Sequence, residues 1–328
     1  MVKITIGYDL TGECKMFFLG IDAGGTNTKF VVSDENGVIL TEHTGSACKF
    51  LEAGKEMLSL FIKKEISILC NKTGININDI TYAALGIPGY GEKEGSDIEV
   101  KEACESAGLF GKIACECDCY IGWAGSFAMK PGVNIIAGTG SICYGVDASG
   151  NTARCSGWGA YCDEGSCRWL GERLIALYTK QADGRMPRTF LYEMFRKHFS
   201  INEDLHFIEE LNHGLSYSDV ADLQRLLSDI YEAGDIHAKE LYDRAAKELA
   251  LAAFTVACNL NFTKPVISYS GGLFKSGEKI LKPLSDEINK KGGILTPPRF
   301  PPEIGAVIVA MSKVYSYDEL QTKINNID

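Results

Sequence analysis

The sequence predicts an α/β protein of two lobes with a central cleft, on three observations. At 328 residues the chain exceeds what one core comfortably organises and suits two domains. Strand-like runs alternate with helical periods over most of its length. Each half also opens the same way, with an apolar strand, a Gly/Thr-rich turn and a second strand: GIDAGGTNTKF at 20–30 and IIAGTGSICYG at 135–145. The boundary is expected between the lobes 1–131 and 132–328, with the last helix packing back on the first lobe.

From Met16 the run MFFLGIDAGGTNTKFVVSDENGVILTEHTG reads as a meander of three strands, with Asn36-Gly37 as a hairpin turn. A helical period covers 51–70, followed by the strand TYAALGI, a short helix near 99–107 and the strand KIACEC, which runs into Asp118. In the second half, strands at 133–137 and 142–146 flank GTGS, and 163–259 is mostly helical in pattern. PVISYSGGLF then gives strand, Gly turn and helix start, and ILTPPRFPPEIGAVIVAMSKVY gives a strand, a Pro-rich loop and a last helix. Within the first fifteen residues, ITIGYDLTG echoes FFLGIDAGG without its second glycine and reads as an extra strand or an extension.

The net charge of -10 and the lack of a dense Lys/Arg patch argue against a nucleic-acid groove, which needs a basic surface. No apolar run approaches the roughly 20 residues of a membrane helix. The N-terminus lacks the pattern of a secretory signal, so a cytoplasmic location is expected, with the twelve cysteines reduced and acting as small hydrophobes.

DAGGTNTK has the chemistry of a nucleotide loop. Gly24 and Gly25 let backbone approach a phosphate, Thr26, Asn27 and Thr28 offer donors, and Asp22 suits a hydrated magnesium ion. GTGS, with Gly138, Thr139, Gly140 and Ser141, supplies a second hairpin. Either loop alone reads equally as a tight turn; two of them opening matching halves favour phosphate binding. Neither is a Walker P-loop or a Rossmann fingerprint. Asp118 suits a catalytic base for phosphoryl transfer, or the cap of a helix starting at Tyr120. In GWGAYCDEGS, Asp163 reads as an N-cap and Glu164 as a first-turn acid, while both can also accept from sugar hydroxyls.

In order, DAGGTNTK, LGIPGYG, the strand ending at Asp118, GTGSICYG, GWGAYCDEGS and YSGGLF resemble the N-acetylglucosamine kinase-like members of the BadF/BadG/BcrA/BcrD ATPase family, within the actin-like, hexokinase-like ATPase superfamily. The resemblance spans 16–311 and implies two actin-like, ribonuclease H-like lobes, ATP and magnesium as cofactors, and a homodimer. It makes Asp22 to Lys29 the first phosphate hairpin and Gly138 to Ser141 the second, with Gly271 and Gly272 beside the adenosine. It makes Asp118 the base, and Thr139, Gly140, Gly157, Trp158 and Asp163 the sugar site. The implied reaction is ATP-dependent 6-phosphorylation of N-acetylglucosamine or N-acetylmuramic acid.

One departure bears on the substrate: where these kinases carry a sugar-contacting asparagine, this chain has Lys49. An ammonium attracts a carboxylate and repels a protonated amine, which favours an acid-bearing amino sugar over free glucosamine. Three alternatives are weighed beside it: a glucosamine kinase; an activator ATPase carrying an iron-sulfur cluster, against which the long helical insert with its DEG motif stands; and a sugar sensor without catalysis, which the presence of both Asp22 and Asp118 disfavours. The row Cys115, Cys117 and Cys119 would lie on one strand face about 6.6 Å apart. That is too far for neighbouring thiolates of one tetrahedral zinc, so the row is expected to pack in the core, and Cys117→Ser to cost some stability. The five histidines show no metal spacing.

Overall fold

The computed structural model describes residues 7–8, 14–25, 27–48, 50–159 and 161–327, with backbone alone at 7, 8, 14 and 50–53. They fall into two compact units, 1–130 with 298–328, and 131–297.

The first unit begins with a two-residue antiparallel pair, β1 (Gly7–Tyr8) and β2 (Cys14–Lys15); the rest of the ITIGYDLTG echo lies outside the described residues. The expected meander follows as β3 (Phe17–Ala23), β4 (Asn27–Asp34) and β5 (Ile39–Ser46). Between β4 and β5 the Asp34 carboxylate accepts from the N–H groups of Asn36 (2.8 Å) and Val38 (3.0 Å), and Gly37 takes φ +88°. After α1 (Phe50–Thr73) come β6 (Ile80–Gly86), α2 (Ser96–Cys104), β7 (Ile113–Glu116) and α3 (Asp118–Phe127). The strands form one sheet in the order β5-β4-β3-β6-β7, with β6 and β7 parallel to β3.

Two expectations fail at β7. The strand stops at Glu116, and Cys117 is the N-cap of a helix that starts at Asp118, not at Tyr120. The cysteine row therefore breaks. Cys115 stays in the strand with its sulfur 3.9 Å from that of Cys104 in α2, whereas Cys119 is buried in the first turn of α3. An acid in a first turn faces the positive end of the helix dipole, which stabilises Asp118 there.

The second unit repeats the plan. β8 (Gly132–Ala137) and β9 (Ser141–Val146) flank GTGS, and β9 continues into β10 (Thr152–Ser156), a short strand that the sequence did not signal. The helices α4 (Cys167–Ala182), α5 (Phe190–His198), α6 (Phe207–His213), α7 (Tyr217–Glu232) and α8 (Ile236–Asn259) fill the predicted helical region. Part of this region is held by an aromatic stack in which the Tyr178 and Phe195 rings lie 4.2 Å apart. Then come β11 (Val266–Ser270), α9 (Glu278–Lys290) and β12 (Ile294–Leu295). The sheet order β10-β9-β8-β11-β12, with two antiparallel and two parallel pairings, matches the first sheet position for position.

The chain then returns to the first unit with α10 (Pro302–Ser312) and a further helix, α11 (Tyr317–Ile324), which a Ser316–Glu319 capping box starts. Residues 303–311 are all buried, as expected of a helix apolar on every side. α10 packs on β3, β6 and α3, and glycines make the approach close enough. A Cβ on Gly20 of β3 would sit 2.6 Å from the Glu303 oxygen, and one on Gly305 would sit 2.0 Å from the Ile121 oxygen of α3. This packing sets the N-terminus of α10 against the end of β3 that carries Asp22.

Candidate active site

In the first unit the β3–β4 hairpin pairs Asp22 with Lys29 and Ala23 with Thr28. The Gly24 N–H donates to the Asn27 oxygen at 2.9 Å, and a Cβ on Gly24 would crowd that oxygen at 2.8 Å; Gly25 faces open space. Asn27 is exposed, whereas Thr28 is fully buried, so its hydroxyl has no surface to offer a ligand. Thr26 and Lys49 lie outside the described residues.

Lys29 forms an ion pair with Glu303, the second residue of α10, whose other carboxylate oxygen is buried without a hydrogen-bond partner. Burial, then the negative charges of Glu303 and Asp118, push the Asp22 carboxyl up to about 7, against the pull of Lys29. Asp118 is also raised, chiefly by burial. The Cys119 N–H (3.0 Å) and Cys119 thiol (3.4 Å) donate to its Oδ1 and act the other way. Asp118 is thus not an N-cap. It sits at the strand-to-helix junction with a carboxyl held above the usual range, in electrostatic contact with Asp22.

Sequence reasoning missed Glu303. An acid just after a proline at a helix start is an ordinary first-turn residue, and nothing local marks its partner in β4.

In the second unit the GTGS turn is tied to its surroundings by backbone. Gly138 donates to the Gly140 oxygen at 2.9 Å, and Cys167, the first residue of α4, donates to the Gly138 oxygen at 2.8 Å. Thr139 is exposed at the tip, while Ser141 is buried and its hydroxyl donates to the Glu164 oxygen at 2.8 Å. Gly271, at φ +106°, brings the chain so near β8 that a Cβ would lie 2.3 Å from the Ala137 oxygen; Gly272 has open space around it.

Asp163 is buried and organises the GWG loop. Its Oδ1 accepts from the N–H groups of Trp158 (2.9 Å) and Gly159 (3.2 Å), and its Oδ2 lies against Gly140, where a Cβ would meet it at 2.6 Å. The expected N-cap role falls instead to Ser166, whose Oγ accepts from the Trp169 N–H at 3.1 Å. Gly157 takes φ +73° against the Ile142 side chain, Glu164 is exposed, and Trp158 and Tyr161 stand 80% and 87% exposed on the same loop. Exposed rings of this size suit stacking on the apolar face of a sugar. Among the described residues no group of three or more His, Cys, Asp or Glu side chains is placed to ligate a metal directly.

Comparison with known proteins places the chain as a whole among sugar kinases. An N-acetylmuramic acid/N-acetylglucosamine kinase of Clostridium acetobutylicum is 28% identical over 278 residues, covering 84% of this chain and 89% of that protein. An N-acetyl-D-glucosamine kinase of Dictyostelium discoideum is 28% identical over 200 residues, or 58% of this chain and 62% of that protein. The crystal structure of a candidate N-acetylglucosamine kinase from Chromobacterium violaceum superposes with a TM-score of 0.74 at 21% identity, over 90% of this chain and 98% of that one. The fold is that of two actin-like α/β lobes. The BadF/BadG/BcrA/BcrD ATPase family matches residues 19–310, and the chain belongs to it.

Proposed function

We propose that the protein is an ATP-dependent amino-sugar kinase that phosphorylates the 6-hydroxyl of N-acetylglucosamine, N-acetylmuramic acid or both. The observation that carries this reading is Asp118: a partly buried carboxyl, raised above its ordinary value, at a strand-to-helix junction in the unit that also holds the Asp22 hairpin. Phosphoryl transfer needs little covalent help from protein; it needs positioned phosphates, screened charge and an acceptor for the hydroxyl proton. A raised carboxyl suits that last task better than an ordinary aspartate, because it binds the proton more tightly as the sugar oxygen forms its bond to the γ-phosphorus and ADP leaves.

The β3–β4 hairpin, with Gly25 open and Asn27 exposed, and the GTGS hairpin, with Thr139 exposed, would hold the ATP phosphates. Gly271 and Gly272 would pass the adenosine. Asp163 would hold the Trp158 loop in the shape that receives the sugar, with Glu164 accepting from its hydroxyls. The residues present fit magnesium. Among the described residues, Glu303 and Asp118 add their negative charge to that of Asp22 while Lys29 opposes it, and one Glu303 oxygen lacks a partner. Asp22 would hold the ion through water, and the bound ion would screen the phosphate charge. A homodimer belongs to the same reading and is tested by light scattering on the purified chain.

A coupled ADP assay with N-acetylglucosamine, N-acetylmuramic acid, glucosamine and no sugar tests the proposal. Sugar-dependent ADP release with either N-acetylated sugar is expected, and phosphorus NMR should place the phosphate on O6. ADP release indifferent to every sugar, with iron and sulfide in anaerobically purified protein, would replace the proposal by the activator ATPase.

A further inference from the structure

Arg168 is the second residue of α4, five positions beyond Asp163, and it is only 7% exposed. Its Nη2 bonds to Glu172 at 2.8 Å, and its guanidinium carbon lies 4.2 Å from the Tyr217 ring centre and 5.3 Å from that of Tyr161. Nε and Nη1 are buried with no hydrogen-bond partner. Three of the five N–H donors are therefore unused. A buried, charged donor left unmade is costly, so proteins keep few of them without a use.

Two neighbours make that use specific. The next cations near this helix, Arg173 and Arg244, both stack on Trp169, so the free donors belong to Arg168. Tyr161 covers the guanidinium but is itself 87% exposed, on a loop whose Gly157, Gly159 and Gly165 all take positive φ. Besides the guanidinium, Tyr161 meets the Tyr217 side chain, whose hydroxyl it pushes up. Tyr161 and Tyr217, joined by a side-chain hydrogen bond, are the two rings that lie over this planar cation fork. The geometry of that fork matches a carboxylate better than any neutral group. The loop is the one that carries Trp158 and Asp163.

Resting on the kinase reading above, we infer that Arg168 receives a carboxylate borne by the sugar substrate, as on the lactyl ether of N-acetylmuramic acid, and sets the preference for acid-bearing over neutral amino sugars. Glu172, whose side chain is 37% exposed, is the internal carboxylate that holds the fork until substrate arrives.

The test compares kcat/KM for N-acetylmuramic acid and N-acetylglucosamine in the full chain, as wild type, Arg168→Met, Arg168→Lys and Glu172→Gln. Losing a charged hydrogen-bonded contact lowers the muramic-to-glucosamine ratio by roughly 30-fold in Arg168→Met, mostly through KM, and Arg168→Lys restores part of it. Glu172→Gln raises the ratio severalfold by removing the competitor, and it decides the matter if Arg168→Met does not fold. A ratio that stays within twofold while both sugars weaken makes Arg168 a clamp between α4 and α7 and overturns the inference. So does a wild type that uses N-acetylglucosamine but ignores N-acetylmuramic acid, which leaves the kinase reading standing. A wild type that turns over neither sugar sinks the kinase reading itself.

Discussion

Asp22→Asn isolates the electrostatic cost of the first phosphate hairpin. The Asp22 carboxyl is held near 7 against an ordinary value of 3.8, so the folded protein keeps its proton over a range where the unfolded chain has lost it. The folded pKa is raised. The stability it contributes is therefore complete below about pH 4 and drains away as pH rises towards 7. Each pH unit in that window costs about 1.4 kcal/mol for one proton, so the step from pH 5 to pH 7 is worth at most about 2.7 kcal/mol. Asp22 keeps part of its surface in solvent, which screens the effect to roughly half that figure. Asparagine cannot ionise. The stability difference between Asp22→Asn and wild type should grow by about 1–1.5 kcal/mol between pH 5 and pH 7 and then level off, with the variant the more stable at pH 7.5. Urea unfolding of both proteins in EDTA, followed by tryptophan fluorescence, measures it. A difference that stays flat with pH would refute the reasoning and mean that Lys29 neutralises Asp22 in full.

The remaining predictions follow from single contacts. Asp118→Asn should keep the fold and bind ADP within about twofold of wild type while losing roughly 10²–10⁴ in kcat; near-normal turnover in that variant would remove Asp118 as the base. Gly305→Ala puts a methyl group 2.0 Å from the Ile121 backbone oxygen, which cannot step aside, so a loss at or above about 3 kcal/mol is expected, seen as insoluble expression or a sharply lower Tm. Cys117→Ser reverses the sign expected from the sequence. Cys117 is an N-cap with no side-chain cap bond, and serine there should add about 0.5–1 kcal/mol in thermal unfolding while leaving turnover within threefold.

Much of the architecture was legible because the chain states it twice. Runs such as FFLGIDA and VNIIA are apolar on both faces, as central strands must be, and each leads into a Gly-rich turn. The positions that escaped were those that no local rule decides. CDEGS offers two residues of N-cap type, Asp163 and Ser166, and only the path of the GWG loop over Gly140 assigns the first to the loop and the second to α4. Cys117 has no sequence signature as a cap. Glu303 meets Lys29 across 274 positions, a pairing that only the packing of α10 against β3 creates. The unused donors of Arg168 are equally silent, since arginines on an amphipathic helix usually end in solvent.

The return of the chain to its first unit has a consequence for synthesis. Residues 131–297 are contiguous and can fold as soon as they leave the ribosome, but β3 lacks its cover until residues 298–328 follow. At about 5–20 residues per second, the roughly 170 intervening residues leave the nascent first sheet with an apolar flank bare for on the order of 10–30 s. The half translated first is therefore the half completed last, and the interval is one in which a ribosome-associated chaperone would find a client.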